Sequence, residues 1–447
     1  MKENSEKQID VFKKVHEYLK ESESKKVDVS LSPLCFMTTW TKTLGYFNIL
    51  RLLRMGKKGY LSYILKDLLS VSKYNDLKIF KSKNFTTKNI LIVSYCSKNN
   101  FNNDGTFKDS YFSYSSKNRG YTWLLISLDN YIPENLKENV LIFCKQKKKS
   151  LSIIFLIKSL ISIFNDKKIN IKNIFHYMNS QYIFSKLITS EISKIFKKDE
   201  IEKVLMNYEG IPFQHGIIKS LKKFNNNLKI ICYLHCAGWP VQTDLIYREK
   251  SIDTLLVSGE DQKLVMTSYL NWPESKIFSI PSLRFDKKQN NQLSGYLFIP
   301  FEIFESEKLL KRFEKFLQNI PKNVLGELTV RTHPLNKNSK KHQNFESSLN
   351  NLIKKFDEKI TKDKKNISIM FGYATGVSIQ AIEEGNIVYH FPYNDIIDVF
   401  SEKVWRNIEV TSIDDLVFKY KIKNKDKIFF TNSENNKFEK YAKPFLI

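Results

Sequence analysis

The sequence has little glycine and little proline. Of 447 residues, only 14 are glycine and 11 are proline, which excludes a collagen-like repeat and a proline-rich linker architecture. Hydrophobic residues make up 42% and charged residues 27%, a balance that is typical of a globular chain. At this length we expect two α/β domains of about 200 residues each.

Cysteine and long apolar runs are also scarce. The five cysteines are widely spaced, and Cys232 and Cys236 have no second pair nearby to complete a zinc site. This pattern predicts a reduced, cytoplasmic protein, and the polar N-terminus does not match a signal peptide. The most apolar stretch, residues 151–164, is interrupted by Lys158 and is too short to span a bilayer. It predicts a buried amphipathic helix or a helix at a membrane surface.

Acidic residues are outnumbered by basic ones. Lys and Arg total 72 against 47 Asp and Glu, so the formal net charge is +25. Such an excess fits a solvated lysine-rich surface, attraction to anionic membranes, or nucleic-acid binding. The lysines are scattered, and no helix-turn-helix, zinc finger or RNA-binding signature accompanies them. We therefore expect no nucleic-acid partner, and a mostly solvated surface with peripheral contact at the inner face of the cell membrane.

Strand and helix patterns alternate along most of the chain. Residues 1–85 have a mostly helical pattern. Short apolar runs ending in polar loops predict buried parallel strands, at residues 89–95, 122–127, 140–144, 203–208, 228–234, 254–257, 276–280, 296–299, 326–330 and 367–370. Helical patterns fall at residues 180–196, 213–224 and 261–270. This alternation predicts a helical N-terminal region (1–85) and two α/β domains (86–250 and 251–447).

One segment of the second domain has the pattern of an anion site. Residues 369–389 follow the order strand, turn, helix, strand, and Thr375, Gly376 and Ser378 open the helix. Small residues leave backbone N–H groups open there, and the helix dipole favours a nucleotide phosphate. Glu383, further along the helix, is the candidate for contacts to ribose hydroxyls. The alternative is that Gly376 and Ser378 only cap the helix.

Other polar residues stand at the ends of predicted strands. Arg331 can clamp a phosphate, and His333 can donate a hydrogen bond or a proton to one. Glu209, in a turn after a buried strand, can remove a proton from a hydroxyl group, or it is an exposed turn residue. The further candidates for cleft residues are His235, Gly259 and Glu260, of which the last two also suit a helix cap. We expect structural roles for His215 and His390.

These motifs, in their order, resemble those of known transferases. Glu209–Gly210, His333–Pro334 and the segment from Thr375 to Ser378 resemble the acidic-Gly, His-Pro and Ser/Thr motifs of bacterial sialyltransferases and related capsule polysaccharide transferases. Residues 208–280 resemble surface carbohydrate biosynthesis proteins of the GT-B fold, through Tyr208–Glu209, Pro212–Phe213 and His235. Tyr208 stands where the sialyltransferase motif usually has the first of two adjacent carboxylates. The resemblance covers roughly residues 200–400.

The resemblance implies a GT-B enzyme in which two Rossmann-like domains face a cleft. It would be a metal-independent glycosyltransferase without a cofactor, moving sugar from a nucleotide-sugar donor to a surface polysaccharide or lipid-linked glycan acceptor, in capsule or lipopolysaccharide assembly. Glu209 would act as general base in the acceptor domain. Arg331, Thr375, Gly376, Ser378 and Glu383 would bind the donor, and His333 would stabilise its departing phosphate. The lack of an Asp-x-Asp element agrees with this. A nucleotide-sugar epimerase-like enzyme and a noncatalytic component of a polysaccharide assembly complex remain alternatives.

Overall fold

A computed structural model describes most of the chain. The described residues are 2–24, 28, 30, 69, 74–116, 120–147, 157, 161, 180–236, 240–248, 252–285, 293–303, 305–333, 336–363, 365–414, 416–423 and 434–447. The α-helices among them are α1 (Lys2–Ser24), α2 (Ser180–Ile195), α3 (Pro212–Phe224), α4 (Glu260–Tyr269), α5 (Ser306–Asn319), α6 (Lys340–Lys355) and α7 (Gly376–Glu383). None of these helices combines the length and the hydropathy that crossing a bilayer requires.

The strands form two sheets. Eight strands belong to the first sheet: β1 (Tyr74–Lys81), β2 (Ile90–Cys96), β3 (Thr122–Ser127), β4 (Val140–Lys147), β5 (Lys203–Asn207), β6 (Lys229–Tyr233), β7 (Thr254–Ser258) and β8 (Ile277–Ile280). Six belong to the second sheet: β9 (Tyr296–Phe298), β10 (Thr329–Arg331), β11 (Ile367–Phe371), β12 (Ile387–Phe391), β13 (Ile408–Asp414) and β14 (Val417–Ile422).

The first sheet is a doubly wound parallel sheet with one antiparallel edge strand. Its order is β1-β4-β3-β2-β5-β6-β7-β8, and only β1 runs antiparallel to its neighbour. Strand β3 is buried along its whole length, as parallel strands covered on both faces are. The winding direction reverses between β2 and β5. Ligands of such sheets bind in the crevice outside the carboxyl ends of the two strands at the reversal.

The second sheet has the same design at smaller size. Its order is β10-β9-β11-β12-β14-β13, with β10, β9, β11 and β12 parallel and the last two strands antiparallel. Here the winding direction reverses between β9 and β11, which places a second crevice outside their carboxyl ends. Together the two sheets confirm the predicted fold class, two Rossmann-like α/β domains.

Segments from both ends of the chain tie the domains together. The Phe12 ring of α1 stacks on Tyr269 of the first domain, with ring centres 5.5 Å apart. On the same helix, Gln8 donates to the Val399 carbonyl of the second domain at 2.5 Å. Near the C-terminus, the Phe438 ring stacks 4.0 Å from Tyr114 and returns the chain to the first domain.

Two predictions about the fold need correction, and one element was missed. Residues 1–85 are not all helical, because Tyr74–Lys81 forms β1, held by antiparallel pairing with β4. The boundary at residue 250 is too early, because β7 and β8 pair within the first sheet. The β13–β14 hairpin was not predicted. The apolar stretch 151–164 lies outside the described residues, apart from Ile157 and Ile161.

Candidate active site

A carboxylate and an imidazole meet at the crevice of the first sheet. Glu209 follows β5 and His235 follows β6, and because these strands are parallel neighbours their carboxyl ends lie at one edge. His235 Nε2 is 3.2 Å from Glu209 Oε1. His235 is buried, while Glu209 keeps partial access to solvent. A partly accessible carboxylate held by an imidazole can accept a proton from a bound hydroxyl group.

The turn that carries Glu209 is rigidly held. The Glu209 N–H donates to Gln214 Oε1 at 2.8 Å, and Gln214 Nε2 donates to the Asn207 carbonyl at 2.6 Å. Gly210 has φ +72°, and a Cβ there would lie 2.3 Å from the Asp244 carbonyl oxygen. Only glycine fits this left-handed, crowded position. The local sequence therefore fixes the direction in which the carboxylate leaves the strand.

Tyr111, from the loop after β2, forms one wall of this site. Its ring meets the His235 ring edge-on, with centres 4.6 Å apart. Asp109 holds the loop, since its Oδ1 accepts the N–H groups of Tyr111 at 2.8 Å and Phe112 at 2.5 Å. Burial raises the pKa of Asp109 to about 6, against hydrogen bonds that lower it, such as the one from Ser94. Burial also raises the pKa of Tyr111 to about 12, which keeps its phenol neutral.

Arg284 completes the cluster, and it was not among the predicted site residues. It lies in the loop after β8, and its guanidinium carbon is 5.0 Å from the centre of the Tyr111 ring. A signal was present, because Arg284 follows the predicted strand 276–280 by four residues. Like Arg331, Arg284 is a cation beyond the carboxyl end of a predicted strand.

In the second domain, the start of α7 lies at the predicted crevice. Gly376 is the first residue of α7 and follows β11 closely, next to the reversal point between β9 and β11. Ser378 is buried, and its Oγ accepts the Thr375 N–H at 3.4 Å, so Ser378 caps the helix. Among the described residues, the N–H groups of Gly376 and Val377 have no hydrogen-bond partner, as is usual in a first helical turn.

A second glycine lets the two loops of this crevice touch. Gly372 follows β11 with φ +82°, and a Cβ there would lie 2.7 Å from Pro300 Cβ in the loop after β9. Buried His390 fixes the carbonyl of Gly372, to which its Nε2 donates at 2.6 Å, while its Nδ1 accepts from Tyr420 at 2.7 Å. Burial lowers the pKa of His390 to about 4, so the ring is neutral and structural in its role. His215 is likewise enclosed, 3.4 Å from the Tyr208 hydroxyl.

His333 and Arg331 diverge at the end of β10. The His333 ring meets the Phe301 ring edge-on, 5.0 Å between centres, beside the loop after β9. Partial desolvation and the charge of Arg284 lower the pKa of His333. The Arg331 guanidinium instead packs over Tyr296, 5.4 Å from the ring centre, on the edge strand pair β10–β9. This position does not support the predicted phosphate clamp. Pro334 lies outside the described residues.

Three other predicted site residues lie apart from the two crevices or at their margin. Glu383 is the last residue of α7, about 10 Å along the helix from Gly376. The turn after it reaches the amino end of β9, where Ser294 donates to Asn386 Oδ1 at 2.6 Å. The helix carries Glu383 away from the start of α7, and its ribose contact stays a prediction. Gly259, at φ +93°, precedes α4, and Glu260 is exposed.

The start of α4 adjoins the first crevice through another residue. Gln262 Nε2 donates to the Cys236 carbonyl at 3.3 Å, next to His235. Asp261 accepts the Asn407 N–H at 3.0 Å and so links the two domains. The described part of the chain contains no group of three or more His, Cys, Asp and Glu side chains arranged to hold a metal ion.

Comparisons with known proteins give distant likenesses. No family model matches the chain, and no curated protein sequence matches it. Among solved structures, it is similar to a glycosyltransferase from Rickettsia africae ESF-5 at 14% identity, covering 70% of this chain and 86% of that chain, with a TM-score of 0.31. A structure of the wall teichoic acid polymerase TagF with CDPG is also similar, at 14% identity, 76% and 78% coverage and a TM-score of 0.31. Values this low leave any assignment of function to rest on the geometry of the chain itself.

Proposed function

We propose that this chain is a glycosyltransferase that moves a sugar from a nucleotide-sugar donor to a glycan acceptor. The observation that carries the proposal is the Glu209–His235 pair at the crevice of the first sheet, 3.2 Å between Nε2 and Oε1. The second sheet adds a complementary crevice with unpaired amides at the start of α7. A base in one domain and an anion site in the other are the two parts that sugar transfer requires.

In the proposed reaction, Glu209 is the general base. His235 Nε2 lies 3.2 Å from Oε1 of Glu209 and orients the carboxylate. As the acceptor oxygen bonds to the anomeric carbon of the donor sugar, its proton passes to Glu209. The bond between the anomeric carbon and the phosphate oxygen breaks, and the electron pair leaves with the phosphate.

The second domain would stabilise the departing phosphate. The first-turn amides of Gly376 and Val377 and the positive end of the α7 dipole suit an anion. His333, with its lowered pKa, is neutral near pH 7 and donates one N–H. Fixed donors of this kind can neutralise a leaving group without a metal ion. We therefore propose a metal-independent transfer.

We further propose that the acceptor is a surface polysaccharide or a lipid-linked glycan at the inner face of the membrane. The net charge of +25 supports contact with an anionic surface. Surface attraction is screened over about 10 Å at 0.1 M salt, so washing membranes with high salt should release the protein. Retention until detergent is added would contradict this part of the proposal.

A screen of nucleoside mono- and diphosphates by thermal unfolding tests the function. A ligand that binds only the folded state raises the unfolding temperature, by more as its affinity increases. The nucleotide found in this way identifies the donor class, whose sugar conjugates are then incubated with candidate acceptors. Transfer that requires an acceptor supports the proposal. No stabilisation by any nucleotide, or conversion of the donor sugar without an acceptor, contradicts it.

A further inference from the structure

The loop of Arg284 is held in place by buried groups on both sides. The Tyr233 hydroxyl accepts the Leu283 N–H at 2.9 Å, and Ser282 Oγ accepts the Arg284 N–H at 3.2 Å. Ser282 and Leu283 are fully buried, and Arg284 is half-buried. The backbone from which the Arg284 side chain extends is therefore fixed.

A residue from the C-terminal segment strengthens the same loop. Lys437 is buried, and its Nζ donates to the carbonyls of Ser282 at 3.2 Å and Phe285 at 2.7 Å. These bonds satisfy a buried ammonium with two backbone acceptors. Since Phe285 is the residue after Arg284, the bond from Lys437 fixes the backbone on the C-terminal side of the arginine.

The guanidinium itself is oriented but unpaired. It packs on two rings, 5.0 Å from the centre of Tyr111 and 4.9 Å from that of Phe285. Among the described residues, it donates no hydrogen bond and forms no ion pair. Ring contacts fix the plane of a guanidinium, and its N–H edge can then bind an oxyanion with two parallel hydrogen bonds.

The cation packs beside the reactive groups of the first domain and acts electrostatically on His333 of the second. Tyr111, on which it packs, also contacts His235, the partner of Glu209. On the other side, the charge of Arg284 is one cause of the lowered pKa of His333. Its position therefore suits a negative charge that arises between an acceptor held by the first domain and a donor held by the second.

We propose that Arg284 binds the phosphate of the nucleotide donor and neutralises it as it leaves. This inference rests on the proposed function and deepens it, because it assigns a phosphate contact to the first domain in addition to α7 and His333. Within the part of the chain that the structure describes, no carboxylate partner has to be displaced for the phosphate to bind. The donor would thus be held from both domains at once.

Isothermal titration with the nucleoside diphosphate that binds the parent chain best, and with its uncharged nucleoside, tests the assignment. Arg284→Gln should weaken diphosphate binding about 10- to 100-fold, because it removes a charged hydrogen-bond donor. Arg284→Lys, which keeps the charge but loses the planar fork, should weaken it less. Nucleoside binding should be unchanged in both variants. Arg406→Gln is the matched control, since Arg406 is exposed and the net charge falls equally.

The possible outcomes separate this inference from the function beneath it. Equal loss of nucleoside and diphosphate binding in Arg284→Gln would assign Arg284 to the support of Tyr111 and overturn the inference. Unchanged diphosphate affinity in both Arg284 variants would overturn it too, while the proposed function stands if the parent chain still binds the nucleotide. If the parent chain binds neither a nucleoside monophosphate nor a nucleoside diphosphate, both proposals fail.

Discussion

The crevices of the two sheets lie at equivalent places in the fold but are built from different groups. In the first, Glu209, His235 and Tyr111 converge from loops after three strands, with side-chain bonds fixing each loop. In the second, the groups that would face the donor phosphate in the proposed site are the amides at the start of α7 and the ring of His333. Proton transfer needs an oriented side chain with a suitable pKa, whereas phosphate binding is served by backbone N–H groups.

The buried titratable groups that support the two crevices also differ in the direction of their pKa shifts. Asp109 holds the Tyr111 loop in the first domain, and burial raises its pKa to about 6. His390 holds Gly372 in the second domain, and burial lowers its pKa to about 4. In each case burial favours the neutral form. The two domains should therefore respond oppositely to pH.

The largest effect is expected for the base of the first crevice. Glu209→Gln keeps the shape of the side chain and removes its basicity, so turnover should fall about 10²- to 10⁴-fold. Nucleotide affinity, measured by titration, should stay close to that of the parent chain. Glu202→Gln is the control, since Glu202 is exposed just before the amino end of the same strand, β5. Sugar transfer by Glu209→Gln at the parent rate would show that Glu209 is only a turn residue.

Next in size is the effect of pH on stability in the first domain. The pKa of Asp109 rises from 3.8 to about 6 on folding, so the folded state binds this proton more tightly than the unfolded state. Its contribution to the free energy of unfolding is complete below pH 4 and is lost as the pH rises to about 6, a change of about 3 kcal/mol. Asp109→Asn removes the titration. Urea unfolding should show that the free energy of unfolding of the variant increases, relative to that of the parent chain, from pH 4 to pH 6.

The second domain should show the opposite slope. The pKa of His390 falls from 6.5 to about 4 on folding, so its contribution is complete above pH 6.5 and is lost as the pH falls, again by about 3 kcal/mol. The free energy of unfolding of His390→Gln should therefore increase, relative to that of the parent chain, as the pH is lowered. Parallel pH profiles for this variant and Asp109→Asn would contradict the contrast between the domains.

A smaller effect is expected for His333. This residue would contact the donor phosphate in the ground state as well as in the transition state, so His333→Ala should weaken nucleotide binding and slow turnover together, each about 10-fold. The split between binding and turnover distinguishes it from Glu209→Gln. Lys337→Ala, an exposed change nearby, is the control. A variant that loses turnover but keeps full nucleotide affinity would place His333 outside the donor site.

The last expected loss, at the backbone site, is confined to binding. Gly376→Val should weaken nucleotide binding by about 1 to 3 kcal/mol, because a branched side chain blocks close approach to the first-turn amides of α7. Glu383→Gln, at the far end of the same helix, should leave nucleotide affinity unchanged. Full affinity in a folded Gly376→Val variant would remove α7 from the donor site, and a large loss in Glu383→Gln would support the predicted ribose contact of that residue.

The sequence by itself determined the strands and the residues that end them. The run at Thr122–Ser127 matches the observed strand residue for residue, because a strand buried on both faces is a mostly apolar run. Glu209 and His235 were placed at strand ends by the same patterns. Parallel pairing of β5 with β6 then brought them to 3.2 Å.

Only the tertiary structure decided which strands pair and where each helix leads. β7 and β8 have the pattern of a new βα unit, and their hydrogen bonds to the first sheet are long-range contacts that local composition does not encode. Glu383 is close to Ser378 in sequence, yet the axis of α7 carries it away from the crevice. Arg284 becomes a candidate because the Tyr111 ring, 173 positions earlier in the chain, packs against it. Contacts of this kind depend on how elements stack, which no single segment of the chain specifies.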